Sequence, residues 1–276
     1  MNKIYILLPV HSRKKTTEAF IQCLKVQTHT DFQLILIDDG STDGTADMVL
    51  SYIPDAVVIR GNGSWWWGGS LQQGYDWFKK NKQVSQEDYV LIINDDTTFS
   101  TNFIETGLSI IKDKQKTLLL AQSYNKKNTG ELVDAGIHVD WLNLEFKLVE
   151  DTSKINCLST RGLFLRVKDL FSIGKFHPVL LPHYGSDYEY TIRAYKKGFL
   201  LTTDKSLVLY IDIDTTGFHA IDEKSKIKYL KKIFSKKSAL NPFYWTMFIL
   251  LSCPKKYIFR VLYTGFMKTM KSFKNR

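Results

Sequence analysis

The stretch Tyr89-Val90-Leu91-Ile92-Ile93-Asn94-Asp95-Asp96-Thr97 decides how the rest of the chain is read, because an unbroken apolar run ends in two adjacent carboxylates. Val90 to Ile93 shows no polar alternation, the pattern of a strand buried on both faces of a parallel sheet. Asn94, Asp95 and Asp96 then stand at its carboxyl end, the edge where open α/β sheets bind ligands. Neighbouring carboxylates repel one another unless a cation neutralises them, and hard oxygen ligands suit Mg²⁺ or Mn²⁺ that also grips phosphate. A solvated Asp-Asp turn fits the same dipeptide, so the surrounding pattern has to choose.

Upstream, Ile4 to Leu8 reads as a short strand closed by Pro9, followed by a polar turn at His11, Ser12 and Arg13. Ala19, Phe20, Cys23, Leu24 and Val26 form a helical stripe within Thr16 to Gln27. Leu34 to Ile37 is a second strand, a helix capped by Ser41 or Thr42 follows, and Val57 to Ile59 is a third strand. Strand and helix alternate in the manner of a parallel sheet with crossover helices, an α/β fold. Asp38 and Asp39 place a second acidic pair at a strand end, where a carboxylate either accepts from a ribose hydroxyl or a pyrimidine N3–H, or caps a turn. The first strand is not followed by Gly-x-Gly-x-x-Gly, and no Gly-Lys-Ser/Thr phosphate loop occurs, which argues against dehydrogenases and P-loop ATPases.

Gly61-Asn62-Gly63-Ser64-Trp65-Trp66-Trp67-Gly68-Gly69-Ser70-Leu71-Gln72-Gln73-Gly74 comes next. Three successive indoles cannot all point into one core, and the flanking glycines let backbone approach a ligand before a helix starts near Ser70. The loop reads as a cover for a nucleotide-sugar, or as an exposed aromatic interface. Further on, Phe103 to Ile111 predicts a helix, Thr117 to Ala121 a strand, Leu132 to Val139 and Leu144 to Val149 peripheral strands, and Leu207 to Ile211 another strand. His183-Tyr184-Gly185-Ser186-Asp187-Tyr188-Glu189 opens a helix that stops at Gly198. Asp187 lies near its amino end, where the dipole favours a carboxylate, and reads as an N-cap or a general base, with Glu189 the alternative base. Glu189 and Arg193, four apart on one face, predict an ion pair.

The chain has 276 residues, 44% hydrophobic and 24% charged, enough for one large domain or a domain with an appendage. Its net charge of +10 is unevenly placed: residues 222–276 carry 14 Lys/Arg against two acids, leaving the rest slightly acidic. That distribution argues against nucleic-acid binding by the body. Cys23, Cys157 and Cys253 lack paired or metal-ligand spacing and suit a reducing compartment. The amino terminus runs straight into a strand without a signal-peptide pattern, so a cytoplasmic enzyme is expected.

Taken in order, the strand ending Leu8-Pro9-Val10-His11, the Ile37-Asp38-Asp39-Gly40-Ser41-Thr42-Asp43 segment, the Asn62 to Gly74 loop and Asn94-Asp95-Asp96 resemble family 2 glycosyltransferases of the GT-A fold. The tryptophan loop followed by Gly-Gly is similar to that of bacterial rhamnosyltransferases that use dTDP-L-rhamnose. The resemblance spans roughly residues 1 to 220 and implies an inverting transferase. Asn94-Asp95-Asp96 stands for the family's Asp-x-Asp, with Asp96 the expected ligand of Mg²⁺ or Mn²⁺; Asn94 departs from the pattern's first Asp. Donor contacts are implied for Pro9, His11, Arg13, Asp38, Asp39, Asn62, Trp66, Trp67, Gly68, Gly69, Gln72, Asn94 and Asp95. The Cys157 to Arg166 segment is similar to one beside the donor, and Arg161 suits phosphate through its planar fork or is an ordinary surface arginine. Aligned with the family's Glu-Asp motif, Ser186 replaces Glu and Asp187 is the base. His219 stands where related enzymes complete the metal site.

The remainder, residues 221–276, is expected to be a basic, amphipathic helical extension. Phe243 to Leu251 is apolar, and Tyr257 to Phe273 mixes Phe259, Leu262, Phe266 and Met270 with Lys and Arg. Apolar surface flanked by cations suits an anionic membrane surface beside a polyprenyl-linked glycan acceptor; a helical cap or a homodimer contact is the alternative. The expected reaction is L-rhamnosyl transfer from dTDP-L-rhamnose to a bacterial surface polysaccharide or its lipid-linked precursor. UDP-hexose or UDP-galactofuranose transfer, and a noncatalytic glycan-assembly scaffold, are the competing readings.

Overall fold

The computed structural model describes residues 2–213, 232–236, 238 and 240–274. The amino-terminal part alternates as expected: β1 (Ile4–Val10), α1 (Lys14–Lys25), β2 (Phe32–Asp38), α2 (Thr45–Tyr52), β3 (Val57–Arg60), α3 (Trp66–Lys80) and β4 (Tyr89–Ile92). Then follow β5 (Thr97–Phe99), α4 (Phe103–Ile111), β6 (Thr117–Asn125), β7 (Asn128–Asp134), and the hairpin β8 (Ile137–Asp140) with β9 (Glu145–Leu148). The chain continues through β10 (Leu163–Arg166), α5 (Val167–Ile173), α6 (Ser186–Lys196), β11 (Leu200–Ile211), α7 (Pro242–Ser252) and α8 (Ile258–Lys274).

Among the described residues, nine strands form one sheet in the order β3-β2-β1-β4-β10-β6-β11-β5, with β7 on β6. β1 pairs in parallel with β2 and β4, while β10 runs antiparallel between β4 and β6. The apolar runs lack alternation because both faces are covered. On β1, Ile4, Ile6 and Leu8 face the core shared with α1, α2 and α4, and Tyr5 and Leu7 face the core shared with α3, α5 and α6. β4 divides in the same way, Leu91 and Ile93 to one side, Val90 and Ile92 to the other.

A third core lies off the sheet. Val139 and Trp141 of the hairpin region, Ile192 of α6, Phe248 and Ile249 of α7 and Val261 of α8 pack together. The carboxyl-terminal helices are therefore docked on the body. No described helix is long and apolar enough to cross a membrane. Cys23, Cys157 and Cys253 are free thiols, and Cys23 is only half-buried.

Local differences from expectation have identifiable causes. α2 starts at Thr45, not Ser41 or Thr42, because Asp43 accepts from the Thr45 backbone N–H at 3.1 Å and from Lys14 N at 2.9 Å, holding the turn open. Leu132 to Val139 is broken in two at Gly136, whose φ of +115° no strand continues through. α3 starts at Trp66, four residues before Ser70, for a reason that belongs to the site.

Candidate active site

The carboxyl edge of the sheet opens into a cavity of about 1010 Å³. Pro9, His11, Arg13, Asp39, Trp66, Trp67, Asn94, Asp95, Asp96, Arg161 and Asp187 all line it, so chain segments nearly 180 residues apart converge. His219 and the expected boundary at residues 220/221 lie outside the described residues.

At the end of β4 the acidic pair has a built-in counterion. Arg13, at the amino end of α1, places NH1 3.0 Å from Asp95 Oδ1 and NH2 3.3 Å from Asp96 Oδ2. Thr17 Oγ1 donates to Asp95 Oδ2 at 2.9 Å. Burial pushes the Asp95 carboxyl up to about 6, against the pull of Arg13 and Thr17, with Asp96 adding to the rise. Asp96 Oδ1 is buried and has no hydrogen-bond partner among the described residues. A partnerless buried carboxylate oxygen costs free energy unless a cation or donor meets it, and this one fits a hard divalent ion. No group of three or more His, Cys, Asp or Glu side chains able to hold a metal occurs among the described residues. One carboxylate plus substrate phosphates is nonetheless a usual way to hold Mg²⁺.

Asp39 acts across the fold. Its Oδ1 accepts from Gly63 N at 2.9 Å, and its Oδ2 accepts from Trp65 N and Trp66 N, each at 2.9 Å. The Trp65 and Trp66 N–H groups are donors at the α3 amino end, so a carboxylate just past the end of β2 caps a helix 27 residues further on, while the Gly63 bond ties down the preceding loop. The cap holds Trp66 at φ +58°, a left-handed conformation unusual for an indole residue, and turns its ring into the cavity beside His183. Trp65 and Trp67 pack instead against the core, and Trp67 Nε1 donates to Thr160 Oγ1 at 3.2 Å. One indole of three is thus chiefly a cavity residue.

The other carboxyl stands on α6. Asp187 is the second residue of that helix, half-buried, with Oδ1 accepting from Tyr188 N at 2.9 Å. Burial pushes it up to about 6; nearby Asp134 adds to the rise and Arg161 opposes it. Asp134, at the end of β7, is itself raised by burial, opposed by its bonds to Ser159 and Gly136 N and by Arg161. Arg161 Nε is buried without a partner, so its charge serves the Asp134–Asp187 pair as well as the cavity. Glu189 is committed elsewhere: Arg193 grips it through Nε at 2.8 Å and NH2 at 2.9 Å while also donating to the Ile173 and Lys175 carbonyls. Buried and paired in this way, Glu189 does not line the cavity and is excluded as the base.

Five expected donor residues do not line the cavity. Asp38 accepts from Ser41 N at 2.8 Å and shapes the turn. Asn62 accepts from Ser64 N at 3.2 Å within its own loop. Gln72 donates to Asp76 at 3.0 Å along the helix. Gly68 and Gly69 are buried in the first turn of α3; Gly68 N donates to Pro182 O at 2.8 Å, and a Cβ on Gly68 would lie 2.5 Å from Leu181 O. That close approach joins the tryptophan helix to the segment that presents Asp187. Several lining residues carried no motif: Asp134 was hidden in an ordinary strand pattern, and Phe146, Tyr188, Tyr244, Trp245 and Phe248 come from three separate elements.

One cavity is thus lined both by an acid with an unpartnered buried oxygen, Asp96, and by a half-buried carboxyl of raised pKa, Asp187. The family model described as Glycosyl transferase family 2 matches residues 5–165, from β1 to β10. The chain belongs to that family. It is 24% identical over 124 residues to glycosyltransferase GlyG of Streptococcus pneumoniae serotype 4, covering 44% of this chain and 39% of GlyG. The chain thus spans well under two thirds of that relative's length. Among solved structures, S. aureus TarS 1–349 matches with a TM-score of 0.58 and 17% identity, over 95% of this family 2 chain and 69% of that one. GalNAc-T7 with UDP, GalNAc and Mn²⁺ matches with a TM-score of 0.62 and 12% identity, over 84% and 48%. The mannosyltransferase PcManGT from Pyrobaculum calidifontis, in complex with GDP-Man and Mn²⁺, matches with a TM-score of 0.58 and 13% identity, over 94% and 68%. At these identities the likeness establishes the shared GT-A fold, a mainly parallel sheet flanked by helices.

Proposed function

We propose that the chain is an inverting glycosyltransferase that moves L-rhamnose from dTDP-L-rhamnose to a hydroxyl of a bacterial surface polysaccharide or its lipid-linked precursor. The observation that carries this reading is that Asp187 and Asp96, whose buried Oδ1 has no hydrogen-bond partner among the described residues, line one cavity at the sheet's carboxyl edge. The acceptor oxygen forms a bond to sugar C1 as the bond from C1 to the β-phosphate oxygen breaks; Asp187 takes the hydroxyl proton, and the nucleoside diphosphate leaves. One displacement inverts C1 and needs no nucleophilic Ser or Cys. A carboxyl at about 6 is ionised at neutral pH yet basic enough to accept a proton.

Asp96, with His219 as a second candidate ligand, would hold Mg²⁺ or Mn²⁺ against the donor phosphates. That ion supplies charge stabilisation to the departing phosphate. Arg13 is 35% exposed and can share its donors between the acids and phosphate. Trp66 supplies the flat apolar wall that suits the methyl group of a deoxysugar.

We further propose that the enzyme works at the inner face of the cytoplasmic membrane. Phe259, Tyr263 and Met267, spaced by four along α8, are 88%, 67% and 49% exposed, and Lys255, Lys256 and Arg260 flank them. Apolar side chains among cations suit anionic lipid. Sedimentation with phosphatidylglycerol vesicles at low and high salt tests this; equal pelleting with neutral and anionic vesicles counts against it.

The decisive experiment for the donor is a panel of nucleotide-sugars scored by diphosphate release with Mg²⁺ and Mn²⁺. Turnover of dTDP-L-rhamnose above the rest is expected. Turnover of a UDP-hexose or UDP-galactofuranose with dTDP-L-rhamnose inert would overturn the donor assignment.

A further inference from the structure

The cavity has two chemically different ends, and only one of them suits a nucleoside diphosphate. Beyond Asp187 its wall is aromatic: Phe146 from the β8–β9 hairpin, Tyr188 from α6, and Tyr244, Trp245 and Phe248 from α7. These rings connect into a platform, with the buried Phe248 (3% exposed) backing the half-buried Phe146 and Trp245, which are able to present a face to the cavity. Phe146 stacks on Tyr188 with centroids 6.1 Å apart and planes 19° apart, Phe146 meets Phe248 at 6.2 Å, and Trp245 stacks on Phe248 at 5.7 Å and 30°. The backing is tight, since a Cβ on Gly265 of α8 would lie 3.0 Å from Trp245 Nε1. The α8 helix therefore presses α7 against the cavity.

We infer that this platform is the acceptor subsite, and that it takes a pyranoside ring of a glycan by its C–H face. The inference rests on the transferase reading above. Four observations support a sugar as the occupant. The platform is continuous with the cavity that Asp187 lines, so a ring lying on it can bring a hydroxyl to that carboxyl. Flat aromatic faces match the apolar C–H face of a pyranose, whose weakly positive hydrogens meet the negative face of the ring. The same wall includes Tyr188, Tyr244 and Lys236, residue types whose hydroxyls and amine suit ring hydroxyls rather than a hydrocarbon tail. The cavity, at about 1010 Å³, lies at the upper end of the usual range for ligand sites, which suits a donor and an acceptor ring together. The carboxyl-terminal helices thus complete the reaction chamber, and the family match, which ends at residue 165, does not reach them.

The test uses the full chain and a panel of methyl pyranosides of gluco, galacto, manno and rhamno configuration, each with UDP or dTDP and diamagnetic Mg²⁺ present. Saturation-transfer NMR is expected to show contacts concentrated on one ring face for at least one pyranoside. Trp245→Leu keeps apolar volume but removes the flat face, and should weaken that pyranoside about five- to tenfold, by the scale of aromatic stacking. Trp245→Phe should restore most of it, and thermal unfolding of both variants monitors the fold. If no pyranoside binds while a nucleotide does, or if Trp245→Leu binds the pyranoside as the parent does, the subsite is wrong. If neither UDP nor dTDP binds, the donor reading fails, and the pyranoside result still decides the platform.

Discussion

Asp95 and Asp187 have the same raised pKa and opposite surroundings. Burial lifts both carboxyls to about 6. Asp95 is gripped by Arg13 at 3.0 Å and Thr17 at 2.9 Å, whereas Asp187 accepts one backbone N–H and feels Arg161 as the weakest of its influences. A carboxylate whose lone pairs are already spoken for holds a structure in place. One with open lone pairs beside a cavity can receive a proton. On the proposed reading, Asp95 keeps the metal-side turn in place and Asp187 is the carboxyl that would activate the attacking hydroxyl.

The largest effect that would sharpen this contrast is expected at the gripping end. Asp96→Ala should lower turnover by roughly 10²–10³-fold and weaken Mn²⁺-dependent nucleotide binding in parallel, because it removes the cation-ready oxygen. Titration calorimetry with and without Mn²⁺ reads the second part; unchanged Mn²⁺ dependence would reassign the metal ligand. Next comes pH. A base has to be deprotonated, so turnover should fall about tenfold per unit below pH 6 and level off above it. That acid limb should persist in Asp95→Asn if it belongs to Asp187, and its disappearance there would assign it to Asp95.

Stability gives a smaller and opposite signal. The folded pKa of Asp187 lies above the unfolded value near 4, so between about pH 4 and 6 the folded state binds more protons and stability falls as pH rises. Asp187→Asn mimics the protonated form and should be more stable than the parent at pH 8 by up to roughly 2–3 kcal/mol, with the two converging near pH 4. Thermal unfolding at both pH values checks this, and a less stable variant at pH 8 would mean that the carboxylate is better partnered than it looks. Smallest is Gly68→Ala, where a methyl against the Leu181 carbonyl should cost about 1–2 kcal/mol by forcing α3 away from the segment before α6. A melting temperature equal to that of the parent would show that the two ends are not joined there.

The sequence made most of the sheet readable because β1, β4 and the Leu34–Asp38 part of β2 are buried, so that they carry apolar runs. It showed the acids at strand ends for the same reason. What it concealed were long-range partners. Nothing near Trp66 announces the α3 start, because the capping carboxylate is Asp39 on another strand. Asp38 and Asp39 look equivalent as a dipeptide, yet one shapes a turn and the other organises the tryptophan helix. The Glu189–Arg193 pair was legible from its spacing, but the burial of Glu189, which removes it as a base, was not. The aromatic platform combines residues 146, 188 and 244–248, each of which reads locally as ordinary core.

Asp187→Asn, measured at once for nucleotide-sugar binding by calorimetry and for transfer by diphosphate release at pH 8, bears most directly on the assignment of roles. Binding should stay within about twofold while turnover drops by roughly 10²–10⁴-fold, the usual contribution of a general base. Turnover within tenfold of the parent, with binding intact, would contradict it and move the proton acceptor away from α6.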